Sequence, residues 1–488
     1  MEDRAASLPD LHAHAVPCVA AASYPVRAGN RLRALIDSGP AFRRICEAVD
    51  AARRSVWLTV TFVAIDYAMP DGRGSFLDVL DRAAARGVDV RVIFWRPNAQ
   101  SSGYGQTFAG TPDDFALLRA RGSRFLARWD RAARGFCQHQ KFWLIDAGQP
   151  TETAFVGGIN PTFAAVEPGH AGEGGHSRHD AYVEVTGPSA TDVHHNFVQR
   201  WNEASERDEA DGMWPCRGDG IEMGNAVDGA HAIDGAHAAP NAPLPFPERL
   251  SAPRGKSAVQ IQRNIHAGRY RVRHASPGGL AYDIEAGEHS ISDQYVRAIR
   301  AARRSIYIEN QALPVASVAA ELDAALERGV RVVYLAPGEP EAYVRMWREG
   351  GEYAAFFERI AALGRHEHFS LAGLAGPDAT AGRHHVYVHA KLMLIDDAWA
   401  TIGSCNLHAN SLTGHSELNV SVWDADWVRA LRCELLREHL DEDTSAMTDR
   451  AAFTRYACIA RENAARWRAG HGAWQGLAFE IEPAAYGA

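Results

Sequence analysis

The sequence is short of the features that mark several common protein classes. Its seven cysteines (Cys18, Cys46, Cys137, Cys216, Cys405, Cys433 and Cys458) are an odd, dispersed set, and no two are spaced C-x-x-C. That pattern points to free thiols in a reducing compartment rather than to a disulfide framework. No apolar run approaches the roughly 18 residues needed to cross a bilayer. The opening stretch, MEDRAASLPD, lacks the basic-then-apolar layout of a secretory signal. Basic charge is also scarce: 51 Lys and Arg face 60 Asp and Glu, a formal net charge of -9. A general nucleic-acid binder needs a basic surplus to displace counterions, so no nucleic-acid partner is expected. The expectation is a cytoplasmic protein or one peripheral at a membrane, with signal-less export as the alternative.

What is present is an ordinary globular composition, 46% hydrophobic and 23% charged over 488 residues, with chain enough for a large buried core. The chain also repeats itself. HQKFWLID (His139 to Asp146) returns as HAKLMLID (His389 to Asp396), and AARRSVWLTV from Ala51 returns as AARRSIYIEN from Ala301, both 250 residues on. AAARGVDVRVIFW (Ala83 to Trp95) is matched by AALERGVRVVYLA (Ala324 to Ala336), and FVGGIN, ending at Asn160, by TIGSCN, ending at Asn406. Four landmarks in one order indicate duplication of a whole structural unit.

Each unit alternates helix and strand. Ile45, Val49 and Ala52 share one helical face, as do Tyr295, Ile299 and Ala302. A β-rich run follows, then a second helix closing at Gly87 or Gly329, then another apolar strand. The expected fold class is α/β: duplicated α/β sandwich halves with mixed central sheets, related by a pseudo-two-fold, with the active site at their interface. The expected boundaries are an N-terminal extension (1–36), a first half (37–210), an Ala/Gly/Pro-rich linker (211–255), a second half (256–440) and a C-terminal helix and tail (441–488). The linker histidines His231 and His237 are read as solvated rather than as metal ligands.

The motif H-x-K-x-x-x-x-D carries the chemistry. On a strand, residues i and i+2 share a face, so His139 sits beside Lys141 and His389 beside Lys391. Asp146 and Asp396 lie an odd number of residues after their histidines and point away, which makes them structural. A lysine supplies charge for a phosphoryl oxygen, and a histidine can attack phosphorus or pass a proton. Displacement at a phosphodiester needs a nucleophile and a leaving-group acid. Two motifs facing each other supply both, so each motif is half a site. Asn160 and Asn406 can donate to phosphate oxygens, and Ser404 adds a hydroxyl.

These residues resemble the phospholipase D superfamily, with two H-x-K-x-x-x-x-D motifs each followed by a G-G-x-N or G-S-x-N segment. SISDQYVRAIRAARRSIYIENQAL (Ser290 to Leu313), RHDAYVEVTGPSATDVHHNFVQRWN (Arg178 to Asn202) and SELN (Ser416 to Asn419) are similar to segments of the eukaryotic-type enzymes. The resemblance implies a phosphohistidine intermediate on His139, acid/base work by His389, and Asp180 and Glu417 orienting the rings. It implies no metal or cofactor. It also implies hydrolysis of a glycerophospholipid to phosphatidic acid and headgroup at a membrane surface. The alternatives are phosphatidyl transfer of the cardiolipin synthase type and, ranked lower, a nuclease or other phosphodiesterase; a phospholipid-binding module without turnover ranks last. A monomer can form the complete site.

Five further readings concern the rest of the chain. The loop Val166–Asp180 is a candidate rim of the site. Glu309, Asn310 and Gln311 contact a headgroup or cap a strand. The pairs His194–His195 and His384–His385 read as surface histidines. Trp57, Trp95, Trp143 and Trp399 read as core, and FTRYACIARENAARWRA as a helix packed on the second half.

Overall fold

Duplicated sequence folds into duplicated sheet. The computed structural model describes residues 16–97, 107–162, 178–204, 243–377 and 382–488. In the first half the strand order is Leu126–Asp130, Asp89–Trp95, Ser55–Val60, Phe142–Ile145, Thr153–Gly157, Ala181–Thr186 and Arg27–Ile36. In the second it is Phe369–Pro377, Arg331–Leu335, Ser305–Asn310, Lys391–Ile395, Trp399–Gly403, Glu417–Trp423 and Ser257–Ile265. The first three strands of each series are parallel and the rest antiparallel, so both sheets are mixed. The series join edge to edge, with Arg27 opposite Val259 and Asn30 opposite Ser257.

That junction corrects the expected boundaries. Arg27–Ile36, read as part of an extension, is a ten-residue strand that closes the first sheet and bonds to the second. The tail likewise returns a strand, Ala478–Glu480, to the edge of Phe369–Pro377. Both segments lie beyond the repeated landmarks, and their partners are remote in sequence, so nothing local marks them. The loop 163–177, most of the linker, and His231 and His237 lie outside the described residues.

The strands are built as the period-2 pattern requires. Val56 and Leu58 pack on the outer helices Ser38–Ala51 and Phe76–Ala85, while Trp57 faces the inner helix Ala190–Asn202. Gly87 and Gly329 end their helices with φ of 82° and 81°, a conformation glycine adopts without Cβ strain. One apolar cluster runs through both halves and takes in Phe197 and Trp201 of the inner helix, Tyr307 of the second sheet, and Phe453 of the C-terminal helix Asp449–Arg468. Phe453 stacks on Tyr307, so the C-terminal helix packs on the second half. Trp57, Trp95, Trp143 and Trp399 are all buried.

His194 and His195 are not at the surface. The helix that carries them is covered on every side, because Tyr24 and His274 close over the face turned away from the sheet. His194 Nδ1 meets Glu152 at 2.9 Å, and His195 Nδ1 meets the Tyr24 hydroxyl at 3.0 Å. His385 is half-buried against Trp467 and Phe479.

The motif aspartates explain the repeated AARRS. Each ends its strand in the left-handed region, with φ of 53° at Asp146 and 56° at Asp396. Asp146 Oδ1 accepts from the backbone N–H of Arg53, Arg54 and Ser55 at 2.9, 2.7 and 3.3 Å. Asp396 accepts from the N–H of Arg303, Arg304 and Ser305, each at 2.8 Å. Both carboxylates thus pin a helix-to-strand turn. Replacing Asp146 or Asp396 by Ala leaves those amides without their acceptor and is expected to destabilise the fold by about 1–3 kcal/mol in urea titration; an unchanged midpoint would contradict the pinning role.

Candidate active site

The two motif histidines are held just outside the strands that follow them. Phe142 opens the first ladder, and His139 lies before it in a stretch fixed by neighbours. Thr59 Oγ1 donates to the Gln140 carbonyl at 3.0 Å, and Thr61 Oγ1 to the Gln138 carbonyl at 3.1 Å. The segment then crosses to the other half: Gln138 bridges Ser416 in parallel, and His139 N–H donates to the Ser416 carbonyl at 2.9 Å. The second motif does the same in mirror order. Val388 pairs with His179, and His389 N–H donates to the His179 carbonyl at 2.8 Å.

These bridges place each ring against a carboxylate of the opposite half. His139 Nδ1 lies 3.0 Å from both oxygens of Glu417. His389 Nδ1 lies 2.5 Å from Asp180 Oδ2. Asp180 follows the first motif in sequence and lies 209 residues from His389, yet it serves the second motif; Glu417 serves the first. Glu417 also accepts from Ser404 Oγ at 2.5 Å and Ser411 Oγ at 2.6 Å. Asp180 accepts from the Ala181 N–H at 2.7 Å.

This corrects one expectation. The Ser404 hydroxyl gives its single proton to Glu417 and is not open to a phosphate. The four remaining expected donors are all buried, at 1% exposure for Lys141 and Lys391, 8% for Asn160 and 4% for Asn406. Lys141 Nζ donates to the His139 carbonyl at 2.7 Å. Lys391 Nζ donates to the His389 carbonyl and to Gln311 Oε1, the latter at 3.1 Å. Asn160 Oδ1 accepts from Phe62 N–H at 3.4 Å, and Asn406 Nδ2 lies 3.5 Å from His408 Nε2. The two lysines lie near enough to act on each other, and Lys391 also acts on His139.

Two family models match this chain. One described as "Phospholipase D" covers residues 159–320, and one described as "Cardiolipin synthase, PLD-like domain" covers 295–438. The chain belongs to the phospholipase D superfamily. Among curated relatives, phospholipase D alpha 2 of Oryza sativa subsp. japonica is 24% identical over 83% of this chain and 62% of its own length. Phospholipase D alpha 1 of Arabidopsis thaliana is 22% identical over 78% of this chain and 59% of its own. The chain thus spans about 60% of the length of these plant enzymes. The crystal structure of phosphatidylserine synthase from Haemophilus influenzae Rd KW20 superposes with a TM-score of 0.53 at 12% identity, covering 91% of this chain and 96% of that one. That likeness establishes the duplicated fold.

The electrostatics of this phospholipase D-type site are dominated by burial. Burial and the ammoniums of Lys141 and Lys391 push His139 well below the usual histidine range. Burial, Lys391 and Arg178 do the same to His389. Burial likewise lowers Lys141 to about 8 and Lys391 to about 7. The carboxyls move up, Asp180 to about 6, because burial outweighs the nearby lysines. The free site is therefore poised for an anion, which would restore the lysine charges and favour an imidazolium.

Sequence reading missed several neighbours. Gln311, left undecided between headgroup and strand cap, holds Lys391; Asn310 instead takes the Leu407 and Ala312 N–H groups. His408 and His415 flank His139, and burial holds His408 down at about 4. Arg178 packs over the Tyr387 ring and acts on His389. His408 and His415 lie just beyond the second Asn, in a region where the repeat no longer aligns, which is why they carried no signal. Among the described residues, no helix is long and apolar enough to cross a membrane.

A carboxylate at Nδ1 fixes each ring as the Nδ1–H tautomer, leaving Nε2 as the free lone pair. Ring nitrogen spectra are expected to show that tautomer for His139 and His389 at neutral pH. Glu417→Gln should perturb only the His139 signals, and Asp180→Asn only those of His389. A response from the ring of the same half would contradict the crosswise pairing.

Proposed function

We propose that the protein hydrolyses a glycerophospholipid to phosphatidic acid and a free headgroup through a phosphohistidine. The observation that carries this reading is the pair of neutral imidazoles, each backed by a carboxylate, beside two buried lysines. His139 Nε2 attacks phosphorus, and the bond from phosphorus to the headgroup oxygen breaks. Binding of the phosphate anion favours a proton on His389 Nε2, and this imidazolium gives that proton to the leaving alcohol and becomes neutral. Neutral His389 then takes a proton from water, the resulting hydroxide attacks phosphorus, and the P–N bond breaks to release phosphatidic acid. Lys141, Lys391, Asn160 and Asn406 donate to the non-bridging oxygens, where charge grows in the five-coordinate transition state. Asp180 and Glu417 position the rings. The same intermediate accepts an alcohol in place of water. The match to a cardiolipin synthase-type domain keeps phosphatidyl transfer as the second reading; adding glycerol or phosphatidylglycerol and resolving the products separates the two.

Rapid quench into neutral denaturant, which spares the acid-labile P–N bond, with a headgroup-labelled and phosphate-labelled phospholipid is expected to trap the phosphatidyl group on His139. His389→Asn should lower kcat by about 100- to 10,000-fold. Label on His389 would exchange the two roles, and no headgroup release from any common phospholipid would end the lipid reading.

The lysines set the alkaline limit. Because their charged forms are lost from about pH 7 for Lys391 and about pH 8 for Lys141, kcat/KM for a soluble short-chain phospholipid should fall between pH 7 and 8. An ordinary lysine would hold its charge to about pH 10. A profile flat to pH 10 would contradict the shifted lysines.

A further inference from the structure

One residue before Asp180, a second cluster lies buried between the halves. His179, fully buried, meets Glu309 Oε2 through Nε2 at 2.8 Å and Asp37 Oδ1 through Nδ1 at 3.0 Å. Glu438 Oε1 also approaches His179 Nδ1, at 3.2 Å, yet has no hydrogen-bond partner among the described residues. The His439 ring lies 4.8 Å from the His179 ring, centroid to centroid, at an interplanar angle of 78°. It is fully buried, and its Nε2 also has no partner among the described residues. Donor atoms of His179, Glu438 and His439 all lie within 4.8 Å of one another.

The protons can be placed. Tyr307 OH donates to Glu309 Oε1 at 2.7 Å, so its oxygen must accept from His439 Nδ1 at 3.0 Å. That makes His439 the Nδ1–H tautomer and leaves Nε2 as a bare lone pair. Burial keeps this ring neutral, well below the usual histidine range. Glu309 therefore orients both imidazoles, His179 directly and His439 through Tyr307. A carboxylate on the outer nitrogen is the arrangement that aims metal-ligating histidines.

We propose that His179 Nδ1, His439 Nε2, Glu438 and Asp37 form a structural site for a divalent transition metal, of which Zn2+ best suits two imidazoles and two carboxylates. Zn2+ takes four such ligands in tetrahedral geometry. Binding displaces the proton from His179 Nδ1 and draws the donors inward. The ion would tie the first half, through Asp37 and His179, to the helix Ala425–Leu440 of the second. The His179 carbonyl accepts from the N–H of His389 and Ala390, so this clamp would also fix the chain that carries Asp180 and His389. It takes no part in the bond-breaking steps.

Protein purified without chelator or affinity tag is expected to retain about one equivalent of Zn2+ by elemental analysis. After chelation, added Co2+ should give visible ligand-field bands. Glu438→Gln and His439→Gln should abolish those bands, with circular dichroism confirming the fold. Tyr307→Phe, which keeps the packing but frees His439, should weaken Zn2+ by about 10- to 100-fold. Should His439→Gln fail to fold, Glu438→Gln and Tyr307→Phe decide the matter. Wild-type protein that takes up neither metal would overturn the proposal. So would bands that survive Glu438→Gln, since the ion would then be held by other histidines of the chain.

Discussion

The structure turns on two hydrogen bonds between a histidine of one half and a carboxylate of the other, His139 to Glu417 and His389 to Asp180. A buried imidazole with its outer nitrogen unpaired would be free to rotate or change tautomer. Here each ring is fixed only when the halves are together. The backbone bridges at Gln138–Ser416 and Val388–His179 set the distance, and the edge pairing of Arg27–Ile36 with Ser257–Ile265 holds the sheets that carry them. Each motif is thus unfinished within its own half.

The two sides are similar but not equal. Glu417 is braced by two serine hydroxyls, whereas Asp180 has one backbone amide and the stronger approach to its histidine. Around them the environment is dry, and the charges are paired by design of position rather than by solvent. This is why lysines, histidines and carboxyls all shift toward their neutral forms in the free site. The same interface buries the His179 and His439 cluster, one residue along the chain from the Asp180 that orients His389.

Much of this was legible in the residues. The repeat gave the duplicated α/β fold, the i and i+2 spacing put each lysine beside its histidine, and the resemblance named Asp180 and Glu417. Other features left no trace. Ser404 stood in a motif position that suggested a phosphate donor, yet a carboxylate 13 residues away takes its proton. His194 and His195 looked exposed because adjacent helical residues point apart, but the helix is enclosed on all sides. Arg27–Ile36 alternates too weakly, as a strand half-covered on one side, to declare its partner 227 residues away.

What the sequence alone determined is therefore local: period, turn chemistry, and which side chains share a face, all set by backbone geometry within a few residues. The Asp ending each motif belongs here, since a carboxylate at a left-handed turn reaches the AARRS amides of its own half. What only the tertiary structure decided is pairing across the interface: that Asp180 serves His389 and Glu417 serves His139, that Gln311 holds Lys391, and that Glu309 links two remote histidines. Those choices depend on how two sheets pack, and packing is a property of the whole chain that no short window of residues encodes.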